Sequence, residues 1–158
     1  MSPQIMTSKV NNNLFLKLIG EFRIPSSLCI LETLKSIVEN DDYCCCFFDL
    51  SETFFMDSTA LGLTTKLGLC SRLKTKTKPI IISNNDELIN NFSAMGLINE
   101  LFHLIKEKPS SDTVFSEDCL IMPDESCAQD IILKAHQALI DVDYRNFNEF
   151  KYVINCLQ

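Results

Sequence analysis

Few residues in this chain have side chains and neighbours that could do chemistry. Asp57 and Ser58 stand together in the run FDLSETFFMDSTALGL, where a strand-like apolar stretch gives way to a helix-like one. A hydroxyl at a helix start faces unpaired backbone N–H groups and the positive end of the helix dipole. It can act as a simple cap, or as an acceptor whose phosphate the helix end tolerates. Thr59 is the neighbouring hydroxyl, but one residue further along a helix its side chain points about 100° away, so it does not replace Ser58 freely. Asp57 read as a catalytic carboxylate lacks a histidine close by, because His103 and His136 fall in other elements. A cap and interface residue is the better reading, with no catalytic residue assigned.

The eight cysteines invite a metal or disulfide reading, and their spacing argues against it. Cys44, Cys45 and Cys46 are consecutive, while Cys29, Cys70, Cys119, Cys127 and Cys156 are isolated, so no CxxC pair exists to start a tetrahedral zinc site. The triplet lies in the apolar run YCCCFFDL and is expected to pack as small hydrophobes. With only four glycines there is no phosphate-cradling loop, so no metal, cofactor or nucleotide site is expected and the chain is not read as an enzyme.

Composition narrows the partners. The chain has 158 residues, 46% of them hydrophobic and 22% charged, which suits one compact core. A net charge of −7 argues against nucleic acid, whose binding rests on an excess of Lys and Arg. The basic run RLKTKTK, Arg72 to Lys78, reads as a solvated helix end. No apolar run reaches the roughly 18 to 20 residues of a membrane-spanning helix, and the N-terminus lacks a secretory pattern, so a cytoplasmic protein with no membrane contact is expected.

Stepping from these residues to the elements that must hold them, the first 105 residues alternate strand-like and helix-like patterns, an α/β arrangement. Asn12 to Ile19 reads as a strand ended by Gly20, and Pro25-Ser26-Ser27 opens a helix through Leu31, Leu34 and Val38 to about Asn40. Tyr43 to Leu50 is a continuous apolar run, expected to be a central strand buried on both faces. A second helix begins at Asp57 or Ser58, carries Leu61, Gly68, Leu69 and Leu73 on one side, and stops before Pro79. Ile80 to Ile82 is a short strand, and Ser83 with Asp86 resembles a capping box for a third helix ended by Gly96. Leu101 to Ile105 is the last strand, and 107–118 has the composition of a linker. Beyond it, Ser126 with Gln129 resembles another capping box. Ala128, Ile131, Ile132, Ala135 and Leu139 form one helical stripe, and Phe147, Phe150, Ile154 and Leu157 a second. This helical pair is expected to pack on its own domain or on a twin subunit.

The segment from Phe48 to Gly68 resembles the signature of STAS domains, in which a buried strand ends in Asp-Leu-Ser and an aliphatic or aromatic turn leads to Asp-Ser-x-x-Leu-Gly. Here these are Asp49-Leu50-Ser51 and Asp57-Ser58-Thr59-Ala60-Leu61-Gly62, with Ala60 where the family often has glycine. Gly20-Glu21-Phe22 and Ala94-Met95-Gly96-Leu97 occupy the places of two further family turns. The resemblance implies the STAS fold, a mixed β-sheet with helices packed on it in the order β-β-α-β-α-β-α-β, over a domain at 1–107. Residues 108–158 then form a linker and C-terminal helical extension. It also implies an anti-sigma factor antagonist of bacterial partner switching. Such a protein binds an anti-sigma factor that is also a serine kinase, is released when Ser58 is phosphorylated, and is reset by a PP2C-type phosphatase. Asp57, Ser58, Thr59, Leu61 and Gly62 would form the partner-binding surface, and the C-terminal helices offer a route to a homodimer. The alternative within the family is an adaptor subunit of a transporter-associated or stressosome-like complex, with Ser58 only a cap.

Overall fold

The computed structural model describes residues 2–107 and 115–157. Strand β1, Gln4–Val10, turns through Asn11 and Asn12 into β2, Asn13–Phe22. Both asparagines have positive φ, 51° and 66°, the backbone that a tight two-residue hairpin demands and that asparagine adopts more readily than most residues. Asn12 is therefore a turn residue and not the first of the strand. Gly20 does not end β2 either. At φ 97° it takes up a register shift, donates its N–H to the Glu52 carbonyl at 2.9 Å, and lets the strand run on to Phe22.

After a short helical turn at Ser26–Leu28 come α1, Cys29–Asn40, then β3, Cys45–Asp49, and β4, Thr53–Met56. Helix α2, Ser58–Thr75, is followed by β5, Ile80–Ile82, α3, Asp86–Ala94, and β6, His103–Ile105. The sheet runs β6-β5-β3-β2-β1-β7, where β7 is Ser116–Asp118, with β4 pairing on the far end of β2. Pairs β2–β3, β3–β5 and β5–β6 are parallel, while β1 is antiparallel to β2 and β7, so the sheet is mixed. The architecture is the α/β one expected, a mixed sheet with helices packed on it and further helices after it. The short β4 differs from the sequence expectation, in which the run TFFM is a turn.

Alternation along β2 sets the two sides of the sheet. Leu14, Leu16 and Leu18 are fully buried together with Cys46, Phe48, Leu50 and Ile81, and they meet Ile30, Leu34 and Val38 of α1 and Leu63 and Leu67 of α2 in the main core. Phe102 stands edge-on to Phe48 and Phe92 at 5.5 and 5.9 Å, which closes the α3 end. Burying each such side chain contributes about 1.5–3 kcal/mol. On the opposite side the described residues form a small cluster, Phe15 stacked on Phe47 at 4.5 Å with Ile82, over which Phe115 lies. Of the cysteine triplet, Cys46 is buried, Cys45 is half-buried and Cys44 is exposed, so the packing role expected of all three falls mainly to one.

Part of the expected linker is structured. Ser116–Asp118 forms β7, which pairs with β1 from Ile5 to Thr7 and makes an edge of the sheet. Pro109, Ser110, Ser111 and Asp112 lie outside the described residues. Helix α4, Ala128–Val142, and helix α5, Asn146–Leu157, then follow. Neither expected capping box forms. Asn85, not Ser83, caps α3 by accepting from the Leu88 N–H, and α4 starts at Cys127 without a side-chain cap. Asn146 fastens the turn between α4 and α5, donating from Nδ2 to the carbonyls of Met95 at 2.9 Å and Leu139 at 2.7 Å.

Candidate functional site

The site is built at the junction of β4 and α2. Asp57 is the N-cap of α2, with extended backbone, and its Oδ1 accepts from the Ala60 N–H at 2.8 Å. Its Oδ2 accepts from the Ile24 N–H at 2.9 Å and from the Ser27 hydroxyl at 3.3 Å, tying the β2–α1 connection to the start of α2. Both carboxylate oxygens therefore hold backbone and loop in place. Upstream, Asp49 works in the same way: its Oδ1 accepts from the N–H and hydroxyl of Ser51, at 3.0 and 2.6 Å, and shapes the bend that leads into β4.

Ser58 opens the first turn of α2 and is half-buried. Its Oγ lies 2.9 Å from Nε2 of His136, which is 3% exposed and arrives from α4, 78 residues later in the chain. The other ring nitrogen, Nδ1, is 2.7 Å from the Ile132 carbonyl. A carbonyl can only accept, so Nδ1 carries a proton, and in the Nδ1–H tautomer Nε2 is an acceptor to which the Ser58 hydroxyl donates. The Phe150 ring of α5 packs against the imidazole, centroids 4.8 Å apart.

The other residues expected on the partner surface are covered. Thr59 and Leu61 are 2% and 4% exposed, and Gly62 is buried against α4. The crossing is so close that a Cβ at Gly62 would fall 2.2 Å from the Ala135 carbonyl oxygen. Only a glycine opposite a small residue permits it. Burial around most of its circumference also explains why α2 has so little apolar sidedness. Asp57 and Ser58 retain partial exposure, and Ile24 and Phe54, 50% and 55% exposed, lie on the segments that lead to Asp57.

The sequence placed Asp57 and Ser58 at the helix start and brought nothing to them from the tail. His136 belongs to another element, and no local spacing connects it to Ser58. The only traces were compositional: Gly62 on α2, and Ala135 beside His136 on α4, small residues where two helices touch. Among the described residues no group of three or more His, Cys, Asp or Glu side chains is placed to hold a metal ion, and no helix is long and apolar enough to cross a membrane.

No family model matches the chain, and no curated protein does. Among solved structures, the chain is similar to one described as the anti-sigma factor antagonist SpoIIAA in its unphosphorylated form. Identity is 13% and the TM-score 0.49, over 66% of this chain and 89% of that one.

Proposed function

We propose that the chain is a STAS-type anti-sigma factor antagonist, a binding module and not an enzyme, in which phosphorylation of Ser58 releases the partner. The observation that carries this reading is the strand-to-helix junction. There Asp57 caps α2 and leaves the Ser58 hydroxyl at the first turn with partial exposure, beside segments that expose Ile24 and Phe54. The signature Asp49-Leu50-Ser51 with Asp57-Ser58 supports it, since both aspartates shape the approach to that serine.

A phosphate on Ser58 adds roughly −1.5 to −2 charges where Asp57 already stands. A partner docked there would have to desolvate both groups, and about 1.4 kcal/mol of that cost is a tenfold loss of affinity. The partner is an anti-sigma factor with serine-kinase activity, a PP2C-type phosphatase reverses the reaction, and Asp57, Ser58 and the exposed rim make the first contact. Thr59 and Leu61 are buried, and Gly62 joins the interface only when α4 lifts from α2. With the kinase and ATP, peptide mass spectrometry should find one phosphate, on Ser58. Ser58→Ala should abolish labelling and keep partner binding, whereas Ser58→Asp should weaken binding. Undiminished labelling of Ser58→Ala overturns the proposal.

One observation favours the adaptor reading. The Ser58 hydroxyl already has a partner in His136, as a purely structural serine would. Recovery of transport ATPase components or large scaffolds, in place of a kinase, would decide for it.

A further inference from the structure

We infer that His136 is the residue that senses the phosphorylation state of Ser58. It takes the proton that the hydroxyl loses and, as an imidazolium, holds the resulting phosphate, so that modification clamps α4 onto α2. This rests on Ser58 being the phosphorylated residue.

The contact has the geometry of a base on a hydroxyl. Nε2 of a neutral ring accepts from Oγ at 2.9 Å, and the ring is oriented by its Nδ1–H on the Ile132 carbonyl at 2.7 Å. When Oγ attacks the terminal phosphorus of a nucleoside triphosphate held by a separate kinase, the Oγ–P bond forms, the bond to the nucleoside diphosphate breaks, and the hydroxyl proton must leave. Nε2 is the acceptor already in place. What remains is a phosphoserine dianion facing an imidazolium, a charge-assisted pair of about twice the strength of the neutral hydrogen bond it replaces. Without that proton the lone pair on Nε2 would face phosphate oxygens, acceptor against acceptor, and α4 would be pushed away.

The surroundings suit a charge that appears only with the phosphate. Phe150 packs edge-on at 4.8 Å, and among the described residues His136 makes no ion pair. The neighbouring carboxylate, Asp57, is engaged with the Ala60 and Ile24 N–H groups and the Ser27 hydroxyl. Because α4 crosses directly over Gly62, a tighter α4 withdraws that turn of α2 from any partner. Release would then come from closing a cover, and not from repulsion at the phosphate alone.

The test installs phosphoserine at position 58 of the full chain by codon suppression, so that no kinase is needed. It reads amide hydrogen exchange across Ala128–Val142 and the ring ¹⁵N signals of His136. The expected result is α4 exchange slowed by about tenfold with imidazolium nitrogen shifts, and no slowing in His136→Gln, whose amide cannot take the proton. Unchanged or faster α4 exchange, a ring that stays neutral, or equal slowing in His136→Gln would each overturn the inference. The ring signals come from the unsubstituted chain and are read even if His136→Gln fails to fold. None of these outcomes bears on whether a kinase labels Ser58, which is decided separately by the Ser58→Ala experiment.

Discussion

The two ends of α2 are handled in opposite ways. At the first turns the helix is enclosed: Thr59 to Gly62 are buried, Gly62 lies against α4, Asp57 is tied to the β2–α1 connection, and the single hydroxyl near the surface is held by a histidine from the tail. At the last turns it is open. Leu73 is 72% exposed, contrary to its expected place on the apolar side, and the basic residues reach outward to backbone carbonyls of other segments. Arg72 donates to the Glu100 carbonyl at 3.1 Å, Lys74 to that of Glu39 at 2.9 Å, and Lys78 to that of Asn99. Lys76 takes the left-handed conformation that stops the helix. The difference teaches that close packing at one end and flexible charged side chains at the other can both anchor a helix, but only the first leaves no freedom for a change of side-chain size or charge.

Breaking the enclosed end should cost most. Gly62→Val forces a side chain into the Ala135 backbone, and about 2–3 kcal/mol of stability should be lost in chemical denaturation, with α4 the first segment to gain protease sensitivity. A variant as stable as the parent would show that α4 does not cross α2 at Gly62. Asp57→Ala removes the cap and leaves the Ile24 N–H and the Ser27 hydroxyl without an acceptor, a loss of about 1.5–2 kcal/mol by the same measurement. At the open end the effects should be small. Arg72→Ala and Lys74→Ala should each cost about 0.5 kcal/mol, and less at high salt. A larger cost would erase the contrast between the ends.

The smallest effect at neutral pH is one that appears only in alkali. Burial pushes the Tyr43 phenol up to about 12 and moves the Cys46 thiol up in the same direction, and the ring of Tyr43 lies against Lys74 at the open end. Each group is neutral when folded and ionises more readily when unfolded. Their contribution is complete below the ordinary values of 9.0 for the thiol and 10.0 for the phenol, and is lost as pH rises through the raised folded values. Denaturation midpoints should therefore hold steady between about pH 6 and 8.5 and fall above about 9, by less in Tyr43→Phe.

Local patterns in the sequence carried most of the α/β unit. Alternation in β2, the apolar run of β3 and the helix start at Asp57-Ser58 are written in adjacent residues, and Gly96 ends α3 with the positive φ its type suggests. What could not be read depended on tertiary partners. Ser83 looked like a cap but Asn85 caps α3. Gly20 looked like a terminator yet serves a bulge demanded by the strand beside it. The segment Ser116–Asp118, without a strand-like pattern, is a strand because β1 offers it an edge. The candidate site divides along the same line: Asp57 and Ser58 were legible because a cap is local, whereas His136 was not, since only the folding of α4 over α2 brings it there.

The pairing of β7 with β1 has a practical corollary. A fragment stopped near residue 107 would leave the amide and carbonyl row of β1 without its mate and strip the cover from Gly62. Open strand borders join readily to those of other molecules, and bare apolar helix faces do the same. Such a shortened product should clump at concentrations where the full chain stays dispersed, so the later residues would serve as solubilising trim for the earlier ones.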